Sequence, residues 1–248
     1  MVGTILRRGL TFGAAVIGLE AVYAVLKPAP VLDRHDPSAE FGDPANPVLE
    51  VAALGDSSID APGIDDPAQI WVALLCQRLA VDRHVILRSY AVGGSRARDV
   101  LADQVDPVIE ADPDLIIVSV GANDVIKGVQ LAEFRRNLDT IVERLQSTGA
   151  QIVLAGVGVM GTIPRLYPPL STLMSRRARR FDRAHWQVAS RHGAVMIDQR
   201  SDDAAVWNTD RSLWAEDHFH VSAAGHARWA ETAWKTVGPL MNGSSGSR

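Results

Sequence analysis

The chain of 248 residues contains a single cysteine and has no excess of basic charge. One cysteine excludes a disulfide within the chain, and Cys76 lies in the amphipathic run IWVALLCQRLA, where a buried thiol is expected. A formal net charge of −4 argues against nucleic acid as a partner, because nucleic-acid-binding proteins present a basic surface to phosphate. The basic cluster SRRARR at 175–180 lies in a helical pattern and is interpreted as a solvated helix face.

Long hydrophobic runs are also scarce, and the one that stands out lies at the N-terminus. It extends from Gly9 to Leu26 and follows Arg7 and Arg8. A basic segment followed by an apolar one of this length is typical of a signal peptide or signal anchor, which we assign to residues 1–26. Arginines on the cytoplasmic side would leave the rest of the protein outside the cytoplasm, either secreted or attached to the membrane through residues 9–26.

The remaining sequence divides into a linker, one domain and a tail. Five prolines in residues 27–47 favour a linker, and NGSSGSR at 242–248 predicts a disordered tail. Residues 48–241 form the domain, in which apolar strands alternate with helical segments, and this alternation indicates a mostly parallel sheet with helices on both faces. Strands are expected at 48–54, 84–92, 114–121, 150–158 and 194–199. Helices are expected at 68–80, 131–149, 173–193 and 222–241, and a broken helix at 97–111.

Polar residues follow the predicted strands, at the sheet edge where α/β proteins bind their ligands. Ser57, Gly94 and Asn123 follow the first three strands, and Asp217 and His220 precede the last helix. Ser57 can act as a nucleophile and form a tetrahedral intermediate if His220 accepts its proton and Asp217 orients the imidazole. The N–H groups of Ser57 and Gly94 and the Asn123 amide are candidates for binding the negatively charged oxygen formed in that reaction.

The segments that carry these residues resemble, in chain order, the four motif blocks of the SGNH (GDSL-type) hydrolase family. They are GDSS with Ser57, SYAVGGSRARDVL with Gly94, VSVGANDV with Asn123, and EDHFHVSAAGHARWA with Asp217 and His220. The resemblance implies a flavodoxin-like three-layer α/β/α fold and hydrolysis of an ester through an acyl-enzyme, without a metal or organic cofactor. It gives Ser57, Asp217 and His220 the catalytic roles, and Ser57, Gly94 and Asn123 the oxyanion hole.

Other interpretations of these residues stay open from the sequence. Ser95, in GGSRA, resembles a nucleophile elbow with alanine for its last glycine, which would suit an α/β-hydrolase. His218 is a second imidazole beside His220, and together with His226 it suggests a metal site. Val221 stands where the family usually has proline, which puts in doubt the turn that holds His220.

An irregular segment, residues 156–174, follows the fourth strand of the domain and is interpreted as a lid or binding loop. Its apolar side chains favour an acyl chain or another hydrophobic group, and we predict substrate contacts for Leu166, Tyr167 and Leu170. Placement outside the cytoplasm makes lipid or glycan esters plausible substrates. Transfer of the acyl group to a sugar hydroxyl and hydrolysis of a thioester are alternatives on the same site, and a non-catalytic binding protein is a third. The sequence does not indicate the oligomeric state.

Overall fold

The computed structural model describes Gly18, residues 28–200 and residues 204–243. Apart from Gly18, the predicted signal segment 1–26 lies outside the described residues, as do residues 244–248 of the predicted tail. Among the helices described, none combines the length and the apolar character needed to cross a membrane.

Six strands form one sheet in the described part of the chain: β1 (Ala39–Phe41), β2 (Val48–Gly55), β3 (His84–Ser89), β4 (Leu115–Ser119), β5 (Gln151–Ala155) and β6 (Val195–Ile197). Their order across the sheet is β1-β3-β2-β4-β5-β6. Every neighbouring pair is parallel except β1 and β3, which are antiparallel. Without β1, this order corresponds to the 2-1-3-4-5 order of flavodoxin-like folds, so the prediction of a mostly parallel sheet is confirmed.

Helices cover both faces of the sheet, which explains why the central strands are apolar on both sides; all five residues of β4 are buried. The helices of the described residues are α1 (Ser57–Asp60), α2 (Trp71–Leu79), α3 (Ala97–Asp103), α4 (Val105–Ala111), α5 (Ala122–Ile126), α6 (Leu131–Leu145), α7 (Leu170–His192), α8 (Ala204–Thr209) and α9 (Ala223–Gly243). One hydrophobic core lies under α2 and α9, and the other lies under α3, α4, α6 and α7.

Two local features differ from the expectations drawn from the sequence, whereas the broken helix expected over 97–111 is observed as α3 and α4, divided at Gln104. Strand β1 lies inside the segment interpreted as a linker. Its backbone pairs with β3 and forms one edge of the sheet, but its three residues are too few to show a pattern in the sequence. Helix α9 ends at Gly243, within the predicted tail.

Candidate active site

Ser57 lies at the sharp turn from β2 into α1. The turn requires a glycine at position 55, whose φ is +152°, because a Cβ there would lie 1.9 Å from the backbone oxygen of Ser119. Asp56 caps α1 by accepting a hydrogen bond from the N–H of Ser58 at 3.0 Å. Ser57 is therefore the first residue of a short helix, and its half-buried side chain lies at the carboxyl edge of the sheet.

Gln104 stabilises this turn through two hydrogen bonds to the backbone of Gly55, and the sequence did not indicate this role. Its carboxamide accepts from the N–H of Gly55 at 2.7 Å and donates to the carbonyl of Gly55 at 3.0 Å, as a neighbouring strand would. It also contacts the Ser95 hydroxyl at 3.3 Å. Ser95 is thus buried in a structural contact, which argues against its interpretation as the nucleophile. No signal in the sequence indicated this role, because the contact joins residues that are 49 positions apart in the chain.

Asp217 and His220 form the hydrogen bond expected of a catalytic pair. The Nδ1 of His220 lies 2.6 Å from Oδ2 of Asp217, while Oδ1 accepts from the N–H groups of Phe219 and His220 at 2.9 Å each. Burial alone would raise the pKa of Asp217, but the bonds from the His220 ring and these two N–H groups lower it to about 2. His218 is exposed, so Asp217 contacts His220 and not its neighbour.

Residues 156–174 support the loop that carries this pair. The N–H of Arg165 donates to the carbonyl of His218 at 3.1 Å, and its guanidinium lies 3.3 Å from the carbonyl of Asp217. Arg165 is buried beneath the loop. These contacts hold the loop although position 221 lacks the proline that is usual in the family.

The predicted oxyanion groups Gly94 and Asn123 follow β3 and β4. Beyond β3 the chain still pairs with β2, because Tyr90 N–H donates to Ala53 and Val92 N–H donates to Gly55. The N–H of Gly93, the residue before Gly94, donates to Oδ2 of Asp60 at the end of α1 at 2.8 Å, which places this segment beside the helix that begins at Ser57. Asn123 lies in the first turn of α5, and its Nδ2 is 3.5 Å from Oδ2 of Asp56.

Two buried carboxyl groups, those of Asp56 and Asp124, adjoin Ser57 and Asn123 in the chain. Burial raises the pKa of Asp56, although hydrogen bonds from Ser58 and Asn123 act in the opposite direction. Burial, together with the nearby charge of Asp56, raises the pKa of Asp124 to about 6. Asp124 accepts from the N–H of Ala97 at 3.0 Å, so it ties α5 to the start of α3, as expected of a structural acceptor.

A cavity of about 100 Å³ joins Ser57, Asn123 and His220. Most of its wall is apolar, and one part of it is a cluster of three tryptophans. The ring centroids of Trp207 and Trp214 are 5.5 Å apart, and those of Trp207 and Trp229 are 6.0 Å apart. Gly94 is not one of the described residues that line this cavity.

The irregular segment contributes to the cavity through residues other than those predicted. Its first half supplies Val157, Gly158, Val159, Met160 and Ile163 to the wall. Leu166, Tyr167 and Leu170 are not among the described residues that line the wall. Tyr167 is half exposed to solvent, Leu170 is buried at the start of α7, and Leu166 packs against the core. The chain turns away from the cavity after Ile163, which hydrophobicity alone did not indicate.

His226 lines the cavity as a buried, neutral imidazole. Burial, followed by the charge of His220, lowers its pKa to about 3, and its Nδ1 accepts from the N–H of Trp71 at 3.2 Å. The Nε1–H of Trp71 in turn donates to the carbonyl of Ser58 at 2.8 Å. His226 therefore anchors the start of α2 beside the Ser57 turn. Within the described residues, no three His, Cys, Asp or Glu side chains are grouped to hold a metal ion.

Comparison with known proteins gives consistent matches to esterases. Esterase TesA of Pseudomonas aeruginosa is 27% identical over 191 residues, which cover 76% of this chain and 87% of that protein. A crystal structure of TesA superposes with a TM-score of 0.65 at 25% identity, covering 77% of this chain and 99% of that one. Axe2, an acetylxylan esterase from Geobacillus stearothermophilus, shares the fold with a TM-score of 0.63 at 22% identity, over 78% of this chain and 95% of that one.

The family assignment rests on the length of the match as well as on these relatives. The model of the GDSL-like lipase/acylhydrolase family matches residues 53–228, a range that includes Ser57, Gly94, Asn123, Asp217 and His220. The predicted resemblance is thereby confirmed. The chain belongs to the GDSL-like lipase/acylhydrolase family and is a hydrolase of ester bonds.

Proposed function

We propose that the protein hydrolyses carboxylic esters through an acyl-enzyme on Ser57. The Ser57 hydroxyl attacks the ester carbonyl while His220 Nε2 accepts its proton, and Asp217 stabilises the imidazolium that forms. The tetrahedral intermediate collapses when the alcohol leaves with the proton from His220. Water then attacks the acyl-enzyme with His220 as base, and the carboxylic acid is released.

One observation carries this proposal: Ser57 and His220 line the same cavity, and Asp217 holds the other ring nitrogen of His220 at 2.6 Å. Because Nδ1–H donates to Asp217, Nε2 is left to accept a proton from the nucleophile. No described residue forms a hydrogen bond with the Ser57 hydroxyl or with Nε2 of His220, so both atoms can engage a substrate.

The cavity wall supports an apolar acyl group of limited length. Each buried methylene contributes about 0.8 kcal/mol, so an ester should bind better as its chain lengthens until it meets the wall. A dry cavity of about 150 Å³ holds a benzene-sized group. The cavity of about 100 Å³ beside Ser57 therefore suits a short acyl chain ending at the tryptophan cluster.

Hydrolysis of p-nitrophenyl acetate, butyrate, octanoate and palmitate tests this function. We expect kcat/KM for butyrate to exceed that for acetate by about tenfold, from two additional buried methylenes, and palmitate to be the poorest substrate. Folded protein that hydrolyses none of these esters would contradict the proposal. In that case, product analysis with a thioester and with an ester plus a sugar acceptor would test the thioesterase and acyltransferase alternatives.

We further propose that Ser57 N–H, Gly94 N–H and Asn123 Nδ2 bind the oxyanion. Val92 to Ser95 form a turn, hereafter the glycine turn, closed by a bond from Ser95 N–H to the Val92 carbonyl at 3.1 Å. Gly94 occupies its third position with φ +89°, which is the signature of a type II turn. This turn type sets the direction of the peptide that carries Gly94 N–H, and among the described residues that N–H has no hydrogen-bond partner.

Replacing Gly94 with alanine should lower kcat about tenfold or more, because alanine disfavours the positive φ and would turn this peptide away. No atom lies within 4 Å of the Cβ position, so the effect would be conformational and not steric. Gly149→Ala is the matched control, since Gly149 also has a positive φ and open space around it. Equal kcat in the two variants would count against a role for Gly94 N–H.

We also propose that the protein and its substrate lie outside the cytoplasm. The N-terminal sequence supports placement outside the cytoplasm, where lipid or glycan O-acyl esters would be the accessible substrates. The apolar wall of the cavity favours the acyl side of such esters as the part that is recognised.

A further inference from the structure

The glycine turn is held from both sides by charged residues that lie outside the catalytic set. On one side, Oδ2 of Asp60 accepts from the N–H of Gly93 at 2.8 Å. On the other side, Nζ of Lys127 donates to the carbonyl of Gly94 at 2.9 Å. These bonds fix the Val92–Gly93 and Gly94–Ser95 peptides. The N–H of Gly94, in the peptide between them, remains available for the substrate.

Asp60 links this turn directly to the nucleophile. It is the last residue of α1, the four-residue helix that begins at Ser57. Its side chain is largely buried, with 16% of its surface exposed. A single carboxylate thus fixes the distance between the helix that carries Ser57 and the turn that carries Gly94.

Arg34 completes the link from the N-terminal arm, residues 28–47. Its Nη1 lies 3.3 Å from the same Oδ2 of Asp60 that accepts from Gly93. The arm is fixed on both sides of Arg34, because Gly63 N–H donates to the Asp33 carbonyl at 2.9 Å and Ser89 N–H donates to Ser38 Oγ at 2.9 Å. The family match begins at residue 53, so the family pattern assigns nothing to Arg34.

We propose that Asp60 is a positioning residue for the oxyanion hole and that Arg34, from the N-terminal arm, holds the Asp60 carboxylate in place. Asp60 would set the glycine turn so that Gly94 N–H points toward the oxyanion formed on the Ser57 adduct. This inference rests on the proposed function. It gives the arm a part in catalysis, although its sequence is that of a linker.

Charge and burial support the arrangement. Burial raises the pKa of Asp60, whereas the Gly93 hydrogen bond and the Arg34 charge act in the opposite direction. A partly buried carboxylate without its cation would hold its position less firmly, because desolvation would no longer be offset. The Arg34 guanidinium also lies against Gly93, where an added Cβ would be 2.8 Å from Nη1. The double variant therefore tests whether Arg34 acts on the turn through Asp60.

The test uses the full chain with Asp60→Ala, Asp60→Asn, Arg34→Met and the Asp60→Ala/Arg34→Met double variant. Asp60→Ala should lower kcat about tenfold with little change in KM, because an oxyanion donor acts on the transition state. Asp60→Asn should recover most of the activity, since its amide oxygen can still accept from Gly93. Arg34→Met should lower kcat several-fold alone and have no further effect beside Asp60→Ala.

The inhibition constant of butylboronic acid gives a second measurement, which should not change if Asp60 serves only to stabilise the fold. The boronic acid forms a tetrahedral adduct on a serine nucleophile, so its inhibition constant should rise in Asp60→Ala by the same factor as kcat falls. Arg78→Met is the matched control, since Arg78 forms an exposed ion pair with Glu231 at 2.7 Å on the outer face of α2 and α9. Its kcat should equal that of the wild type.

Three results would overturn the inference. The first is an unchanged kcat in Asp60→Ala, and the second is additive effects of Asp60→Ala and Arg34→Met on kcat. The third is a loss of activity that follows the melting temperature and leaves the affinity for boronic acid intact. Failure of the proposed function would look different, because the wild type would then hydrolyse no ester or Ser57→Ala would remain active.

Discussion

Replacing Ser57 with alanine should abolish ester hydrolysis, with a fall in kcat on the order of 10⁴-fold or more. The variant lacks the only atom that forms the acyl-enzyme, whereas His220, Asp217 and the oxyanion donors stay in place. Its fold should persist, because no described residue forms a hydrogen bond with the Ser57 hydroxyl. The measurements are p-nitrophenyl butyrate hydrolysis and the mass of the intact protein after a fluorophosphonate, which should label the wild type once and the variant not at all.

Ser95→Ala is the matched control for this prediction, since Ser95 also follows a strand and was the rival nucleophile. Its hydroxyl contacts Gln104 and does not line the cavity, so its loss should cost about 1 kcal/mol of stability and leave kcat near the wild-type value. A fluorophosphonate label that survives in Ser57→Ala and disappears in Ser95→Ala would assign the nucleophile to Ser95 and contradict the proposed mechanism.

The sequence predicts the sheet well because its signals are local. Strands such as β4 are buried on both faces and therefore read as short, continuous apolar runs, and helices such as α6 show a clear apolar stripe. Strand β1 could not be predicted in this way. Its three residues become a strand through pairing with β3, which is a tertiary interaction and leaves no period in the sequence.

The distinction between local signals and tertiary interactions applies to the site as well. Ser57, Asn123 and His220 could be located because chain order and the strand ends bring motif residues to one edge of the sheet. Arg34, Asp60 and Gln104 were missed because each acts through a contact that spans the sheet edge. The pairs Arg34–Asp60, Asp60–Gly93 and Gln104–Gly55 are distant in the chain, and no spacing rule connects their members.

The substrate contacts of Leu166, Tyr167 and Leu170 stay a prediction, and these residues do not line the cavity beside Ser57. Much of the segment 156–174 is apolar, but its described residues that line the cavity end at Ile163. The remainder leads into α7, and its apolar residues pack against the core or lie at the surface. Hydrophobicity indicated a loop that contributes to the cavity, but the direction of the chain within the loop decides which of its side chains line the wall.

Replacing Asp217 with asparagine should lower kcat on the order of a thousandfold or more while the protein stays folded. The side-chain oxygen of the asparagine can still accept from the N–H groups of Phe219 and His220, so the loop keeps its shape. The new amide nitrogen, however, would donate to Nδ1 of His220 and place the ring proton on Nε2, where it blocks proton transfer from Ser57. Steady-state kinetics would measure the loss, and activity near the wild-type level would contradict the assigned role of Asp217.

The stability of the same variant should depend on pH in a defined direction. The native pKa of Asp217, about 2, lies below its ordinary value of 3.8, so the ionised carboxylate stabilises the fold by about 1–2 kcal/mol at neutral pH, once screening by solvent is allowed for. That contribution is complete above about pH 5 and is lost as the pH falls toward 2, because protonation then occurs in both the folded and unfolded states. Urea unfolding of the wild type and Asp217→Asn should therefore give free energies that differ at pH 7 and converge on acidification. A difference that stays constant over this range would show that the charge of Asp217 does not stabilise the loop that holds His220.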